Sequence, residues 1–199
     1  MTTPAPTLPL RCPQQLLQKT LDEWGGQQDL WVFAYGSLIW RPEFMYEERR
    51  KAHVHGWHRA LKMWSHINRG TPECPGLVFG MLSGGSCRGM VFRIASHHVL
   101  DMMPRLWQRE MASAEYDPKW LDCHTAGGPV KALAFTLAKN STRHTGTLTE
   151  EDYRRIFAVS RGIYGTTLDY AQSTYSALLE QGIHDKALER LLRYSSQQI

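Results

Sequence analysis

Apolar and polar positions along the chain change period several times, and each change marks an element. Leu16, Leu17 and Leu21 recur at helical spacing until Gly25-Gly26 ends the run. This predicts a short helix after residues 1–14, a Pro/Thr-rich segment expected to be loosely ordered. The pattern then tightens to the alternation of strands. WVFAYGS (31–37) reads as one strand and KAHVHGWHRALKMW (51–64) as another, with a phase switch around Gly56 that predicts a bulge. GLVFGML (76–82) and SCRGMVFRI (86–94) read as two strands joined by a hairpin turn at Ser83-Gly84-Gly85. WLDCHT (120–125) and VKALAFTLAK (130–139) read as two more across Gly127-Gly128-Pro129, with Leu133, Phe135 and Leu137 alternating onto one face.

Helices fall between and after these strands. Ser96 is placed to cap a helix running to about residue 112, which Pro104 either breaks or restarts at a first turn. Thr149 and Asp152 have the spacing of a capping box, with Leu148 and Tyr153 as its staple, for a helix over 150–159. In the tail, Leu168, Ala171, Tyr175 and Leu178 share a helical face, and Gly182 leads into a last helix carrying Leu188, Leu191 and Leu192. About six strands at short spacing with segregated helices predict an α+β fold, a small closed or nearly closed mixed β-barrel flanked by helices. No repeat or linker divides the chain, so residues 15–199 are expected to form a single domain.

Composition narrows the class. With 42% hydrophobic and 21% charged residues in a chain of 199, a disordered or fibrous protein is excluded. No run approaches the ~18 apolar residues of a membrane span, and the N-terminus lacks the basic-then-apolar order of a secretory signal. The net charge of +4 suits an anionic ligand but falls short of a nucleic-acid-binding balance. Cysteines 12, 74, 87 and 123 form no CxxC pair, which points to reduced thiols and a cytoplasmic protein. The densest histidine group is His53, His55 and His58; His58 falls on the opposite strand face from the other two, and no Cys or acidic residue stands nearby at a zinc spacing. No metal site is predicted.

Two features carry candidate chemistry. Val99, Met103, Leu106 and Glu110 fall within ~60° on a helical wheel, so a carboxylate sits in an apolar stripe, where burial raises its pKa toward that of a general base. Arg109 or another cation satisfying it structurally is the competing reading. Glu115, five positions on, lies about 140° away on an ideal helix and is expected to face elsewhere. The second feature is VFAYGSLIWRP (32–42), a strand ending abruptly in Tyr-Gly-Ser, where Gly36 allows close approach of a ligand and Ser37 can bond an oxyanion. No P-loop, GxGxxG or GxSxG is present, so nucleotide-binding and esterase readings lack their minimal parts.

FAYGSLIWRP, TPECPGLVFGMLSGGSCRG (71–89) and Arg109-Glu110 followed by Tyr116 together resemble the signature of the ChaC-type γ-glutamylcyclotransferases, over roughly residues 30–182. The resemblance implies a small β-barrel with helices and conversion of glutathione to 5-oxoproline and cysteinylglycine, with no cofactor and no metal. It implies Glu110 as the catalytic base, and Tyr35, Gly36, Ser37, Leu38, Arg41, Tyr116 and Tyr170 as substrate-binding residues, the 35–38 loop holding the γ-glutamyl head. Two positions depart from the family pattern. Ala114-Glu115 stands where many members have Gly-Gly, which alters the expected pocket wall. GIYGTTLDY (162–170) lacks an Asn that many members carry, which leaves Tyr164 or Tyr170 to reach the substrate.

Three alternatives stand beside this reading. One is action on other γ-glutamyl peptides or amines. Another is acyl transfer with Cys87 or Ser37 as nucleophile, although no His is predicted beside Cys87. The third is a non-catalytic RNA-binding module, although tryptophans 24, 31, 40, 57, 64, 107 and 120 are scattered and form no basic-aromatic stripe. A small-molecule substrate, no nucleic acid and no membrane are the expected partners; oligomeric state is not legible.

Overall fold

Two long strands organise the protein, in a computed structural model that describes residues 11–112 and 114–195. β2 (Glu48–Ser65) and β3 (Gly76–Ile94) pair antiparallel along most of their length. β1 (Leu30–Ala34) pairs antiparallel with the far half of β3, from Leu30↔Ile94 to Ala34↔Met90. β4 (Asp117–Thr125) pairs with β2 and, along its whole length, with β5 (Gly128–Thr136). β5 then meets β1 in parallel, at Trp31↔Ala132 and Val32↔Leu133, which closes the barrel in the order β1-β3-β2-β4-β5. Closure gives each of the five strands a neighbour on both sides, and a barrel this small is filled by its own side chains. Phe33, Phe92, Phe135, Leu77, Met81 and Leu133 are among the fully buried residues that fill this core. This is the expected mixed barrel flanked by helices.

The central turn expected at Ser83-Gly84-Gly85 is not a hairpin. β3 continues through it, because β2 is long enough to pair with both flanks. The register steps from His55↔Ser86 to Trp57↔Ser83, so Gly56 opposes Gly84-Gly85 in a bulge. All three glycines have positive φ, 79°, 96° and 69°, which other residues adopt only with strain. Gly56 marks the bulge that its phase switch predicts. The turn across 127–129 does join β4 to β5.

The helices pack around the barrel. α1 (Pro13–Trp24) starts two residues before the expected boundary, with Pro13 at its first turn and Gly25 closing it in the left-handed conformation. Of the segment 1–14, Arg11 pairs with Asp117 at 2.6 Å, and the Pro13 carbonyl accepts a bond from Trp107 Nε1 at 2.7 Å. Residues 1–10 lie outside the described residues. α2 (Ser96–Glu110) corrects two further expectations. Ser96 is its first residue and not its cap; the Ser96 amide donates to Asp29 Oδ1 at 2.9 Å. Pro104 neither breaks nor restarts the helix, because buried Val99, Met103, Leu106 and Trp107 hold both halves on the barrel.

α3 (Glu150–Val159) carries the expected Thr149/Asp152 capping box. A hairpin of β6 (Arg161–Gly162) and β7 (Gly165–Thr166), not foreseen, leads into α4 (Thr167–Glu180), whose own capping box pairs Thr166 with Asp169. The buried face of α4 is centred on Tyr170, Ala171, Thr174 and Leu178; Leu168 and Tyr175 flank it half-buried and do not lead it. α5 (Lys186–Arg193) is capped by Asp185. Among the described residues no helix is long and apolar enough to cross a membrane.

Candidate active site

At the end of β1 the chain leaves the barrel after Ala34 and makes a single 3-10 turn over Ser37–Ile39. Gly36 is required there by close approach: a Cβ would lie 3.0 Å from Tyr170 Oη and 3.6 Å from Phe79 Cβ. The Tyr170 hydroxyl nests in this gap, accepting from the Phe79 amide at 3.4 Å and from the Ser37 amide. Tyr35 is buried, and its hydroxyl donates to the Phe135 carbonyl at 2.7 Å. Its own carbonyl accepts from Arg59 Nη1 at 2.9 Å, and Arg59 forms an almost fully buried ion pair with Asp185 at the start of α5. The loop is therefore anchored from behind by two distant elements. Leu38 is buried beneath it.

Glu110 is the last residue of α2, carried into the cleft by the buried stripe of Val99, Met103 and Leu106. Its side chain is 16% exposed and lies 3.0 Å from Arg109 Nε. The carboxylate is thus buried, and the cation the sequence offered stands beside it. Burial is the largest influence on Glu110 and pushes its pKa up; Arg109 opposes this by charge and hydrogen bond, and Glu43 adds to the rise. The net direction is upward. Arg109 also reaches Glu43 at 2.8 Å, Ser37 Oγ at 3.1 Å and the Arg41 carbonyl, tying the 37–43 segment to the end of α2. Arg41 is exposed, pairs with Glu43 and lies 5.6 Å over the Tyr164 ring.

Three tyrosines complete the cleft. The Tyr116 hydroxyl donates to the Phe79 carbonyl at 3.0 Å. Burial, aided by neighbouring tyrosines and Glu110, holds the Tyr35 and Tyr116 hydroxyls well above their ordinary pKa, and burial pushes Tyr170 up to about 12. All three are protonated near neutral pH. Tyr35 and Tyr116 give their protons to backbone carbonyls, whereas Tyr170 receives two amides and keeps its proton for another acceptor. All eight residues singled out from the sequence, Tyr35, Gly36, Ser37, Leu38, Arg41, Glu110, Tyr116 and Tyr170, line one cleft of about 740 Å³.

Glu115 lines the same cleft, against the helical-wheel expectation. α2 stops at Glu110, and Ala114 follows with φ 50°, so residues 110 and 115 do not share one regular helix. The Glu115 carboxylate is engaged by Arg143 Nε at 3.0 Å, and Arg143 in turn bonds His66. Sequence reasoning also missed Arg69, a buried arginine whose guanidinium carbon lies 5.0 Å over the Tyr170 ring. Its signal was its place just before TPECPG: Gly70 and Gly76 meet backbone to backbone, a Cβ on Gly70 falling 2.0 Å from the Gly76 amide. Cys87 is buried in β3 outside the cleft lining, its thiol pushed up by burial. The His53 and His55 rings stand 4.2 Å apart on β2, with His124 at 5.5 Å from His55 and His58 turned to the Gly84 carbonyl. Among the described residues no three His, Cys, Asp or Glu side chains gather as a metal cluster would require.

Comparison with known proteins adds an independent line. The family model for ChaC-like protein matches residues 30–198. The chain is 29% identical over 164 residues to the glutathione-specific gamma-glutamylcyclotransferase of Escherichia coli (strain K12), covering 82% of this chain and 71% of that protein. It is 30% identical over 151 residues to the glutathione-specific gamma-glutamylcyclotransferase 1 of Homo sapiens, covering 73% and 68% respectively. Among solved structures, that of a gamma-glutamyl cyclotransferase specific to glutathione from yeast matches with a TM-score of 0.77 at 20% identity, over 85% of this chain and 96% of that one. At that identity the likeness speaks for the fold.

Proposed function

The chain belongs to the ChaC-like protein family, and from that membership we propose that it degrades glutathione to 5-oxoproline and cysteinylglycine by intramolecular aminolysis. The observation that carries the residue-level reading is Glu110: a buried carboxylate with a raised pKa, in a cleft shared with three protonated tyrosines. The substrate's α-amine attacks its own γ-carbonyl carbon. A C–N bond closes the five-membered ring, and the bond from that carbon to the cysteinyl nitrogen breaks. The amine is an ammonium at neutral pH, so it loses one proton to become a nucleophile and a second after attack. Glu110 accepts these protons in turn and returns them to the departing nitrogen, the first letting it leave as an amine and the second making that amine an ammonium. A carboxylate with an elevated pKa suits both halves of that task.

Because nucleophile and electrophile sit in one molecule, holding the bent conformer supplies part of the rate; effective molarities of well-oriented groups correspond to as much as about 7–11 kcal/mol. The 35–38 loop and the Tyr116 wall shape that conformer. Tyr170, with two amides donating into its oxygen, is oriented to donate its proton to the oxyanion that develops on the γ-carbonyl. Arg41 contributes positive charge at the rim. The reaction uses only the substrate's own groups and a proton carrier. We assign the protein to a reducing, cytoplasmic setting, a reading supported by four cysteines without a disulfide, and treat residues 15–199 as one catalytic domain.

Incubation with glutathione, with separate assays for 5-oxoproline and free cysteinylglycine, tests the activity. Equimolar release of both is expected. Release of glutamate in place of 5-oxoproline would point to hydrolysis through a protein nucleophile and overturn the aminolysis. N-acetylated glutathione, which has no free amine, should give no product.

A further inference from the structure

Five guanidiniums line the cleft, and their partners are unequal. Arg41 pairs with Glu43, Arg109 with Glu43 and Glu110, and Arg143 with Glu115; Arg105 stands exposed on α2. Arg69 differs from all of these. It is 9% exposed, yet among the described residues its side chain makes no ion pair and its one hydrogen bond runs from Nη1 to the Tyr164 carbonyl. The carboxylate whose charge reaches it, Asp169, is committed to the capping box of α4. Among the described residues its remaining guanidinium nitrogens bond no protein group, and Arg69 is one of the residues lining the cleft.

Burying a guanidinium without a counter-charge is costly, and burial does push the Arg69 pKa down. The backbone nevertheless fixes it there: the Gly70–Gly76 contact sets the bend after it, and the Ser65 hydroxyl accepts its amide at 3.0 Å. Stacking over Tyr170 holds the plane of the fork. A cation kept in this condition is a seat for an anion brought by the ligand. Its position selects which anion. Arg69 bonds the tip of the β6–β7 hairpin, where Tyr164 is 57% exposed and Arg41 lies over its ring. Arg69 therefore joins the exposed hairpin tip to the ring of Tyr170, the tyrosine whose hydroxyl meets Gly36 in the 35–38 loop.

We infer that Arg69, with Arg41 across Tyr164, binds the carboxylate at the far end of the substrate, the C-terminal carboxylate of a γ-glutamyl peptide, and so sets a preference for γ-glutamyl peptides over γ-glutamyl amines. This rests on the cyclotransferase reading above and adds a specificity-determining residue to it. Neutralising the substrate's carboxylate and removing the guanidinium should then be equivalent and non-additive losses.

The test is a cycle of two proteins and two substrates. Parent and Arg69→Met are assayed for 5-oxoproline release from glutathione and from its C-terminal amide, with a thermal melt on each protein. The parent should prefer glutathione by about 30-fold or more in kcat/KM, the low end for one partner of a desolvated charge pair. Arg69→Met should lose activity on glutathione by a similar factor while treating the two substrates alike. If Arg69→Met does not fold, Arg69→Lys, which keeps the charge without the fork, should show a reduced preference. Equal use of both substrates by the parent, or an unreduced preference in the folded Arg69 variants, overturns the inference and leaves the cyclotransferase reading standing. Absence of turnover of either substrate by the parent overturns both.

Discussion

Replacing Glu110 by Gln removes a proton carrier while leaving a side chain of the same size. The structure sets the size of both consequences. For stability, Arg109 is not orphaned by the change: it keeps Glu43 at 2.8 Å, Ser37 Oγ at 3.1 Å and the Arg41 carbonyl. The substitution gives up one partly exposed ion pair but also relieves a carboxylate whose burial already disfavours its charge. The net cost should stay within about 1 kcal/mol, or a Tm shift of about 2–4 °C for a chain this long. For catalysis, loss of a general base is worth ~10²- to 10⁴-fold in turnover. Glutathione binding, measured by calorimetry, should be retained because the loop, the tyrosines and Arg69 are untouched. Glu115→Gln supplies the comparison. Its carboxylate lines the same cleft but is held by Arg143, so turnover should stay within a few-fold of the parent. A folded Glu110→Gln protein that releases 5-oxoproline near the parental rate would refute the assignment. A dead Glu115→Gln protein would move the base across the cleft.

Three other outcomes follow from the same contacts. The acidic limb of kcat/KM against pH should lie above the ordinary carboxylate range, since Glu110 must be ionised and burial raises its pKa; Arg109→Met removes the opposing cation and should move that limb further up, and a downward or absent shift would contradict the account. Tyr170→Phe should lower kcat by about 10²-fold with KM little changed, as loss of one oxyanion donor does, and a pure KM effect would reassign Tyr170 to ground-state binding. Asp185→Asn should cost about 3–5 kcal/mol by leaving Arg59 buried without its partner. Burial pulls the Asp185 pKa up, but Arg59 and the Leu188 and Ala187 amides more than reverse it, so its folded-state pKa lies below the unfolded value. That stabilisation is complete above the ordinary Asp range and is lost as pH falls through the lowered pKa, so the Tm gap between parent and Asp185→Asn should narrow in acid.

The barrel was legible because its strands alternate and its turns are written in glycine. The one large misreading, at Ser83-Gly84-Gly85, shows where that code is ambiguous. Two glycines after a serine fit a hairpin and a bulge equally well in local terms. What separates them is whether the flanking strands pair with each other or with a third strand, here the 18-residue β2. Ser96 fails for a similar reason. A serine before an apolar-periodic run has the look of a cap, but Asp29, 67 positions earlier, takes the amide that needs capping. The capping box of Thr149 with Asp152, closed within four residues, needed no such knowledge and was read correctly.

The site divides along the same line. The eight residues singled out at the outset sit in motifs or on a periodic stripe, and all line one cleft. The electrostatic frame around them is built from long-range pairs that no local pattern encodes: Arg59 with Asp185, Arg109 with Glu43, Arg143 with Glu115. Glu115 is the instructive case. A helical wheel turns it away from Glu110 only while the helix lasts, and α2 ends at Glu110 itself. The left-handed Ala114 then swings residue 115 back to the cleft, which its side chain lines. Arg143 holds its carboxylate there at 3.0 Å. Glycine at 114 and 115 would relieve the strain and need no partner. This chain instead carries a side chain at both positions and an arginine 28 residues later that pairs with the second, contacts that no local pattern around residues 110–116 encodes.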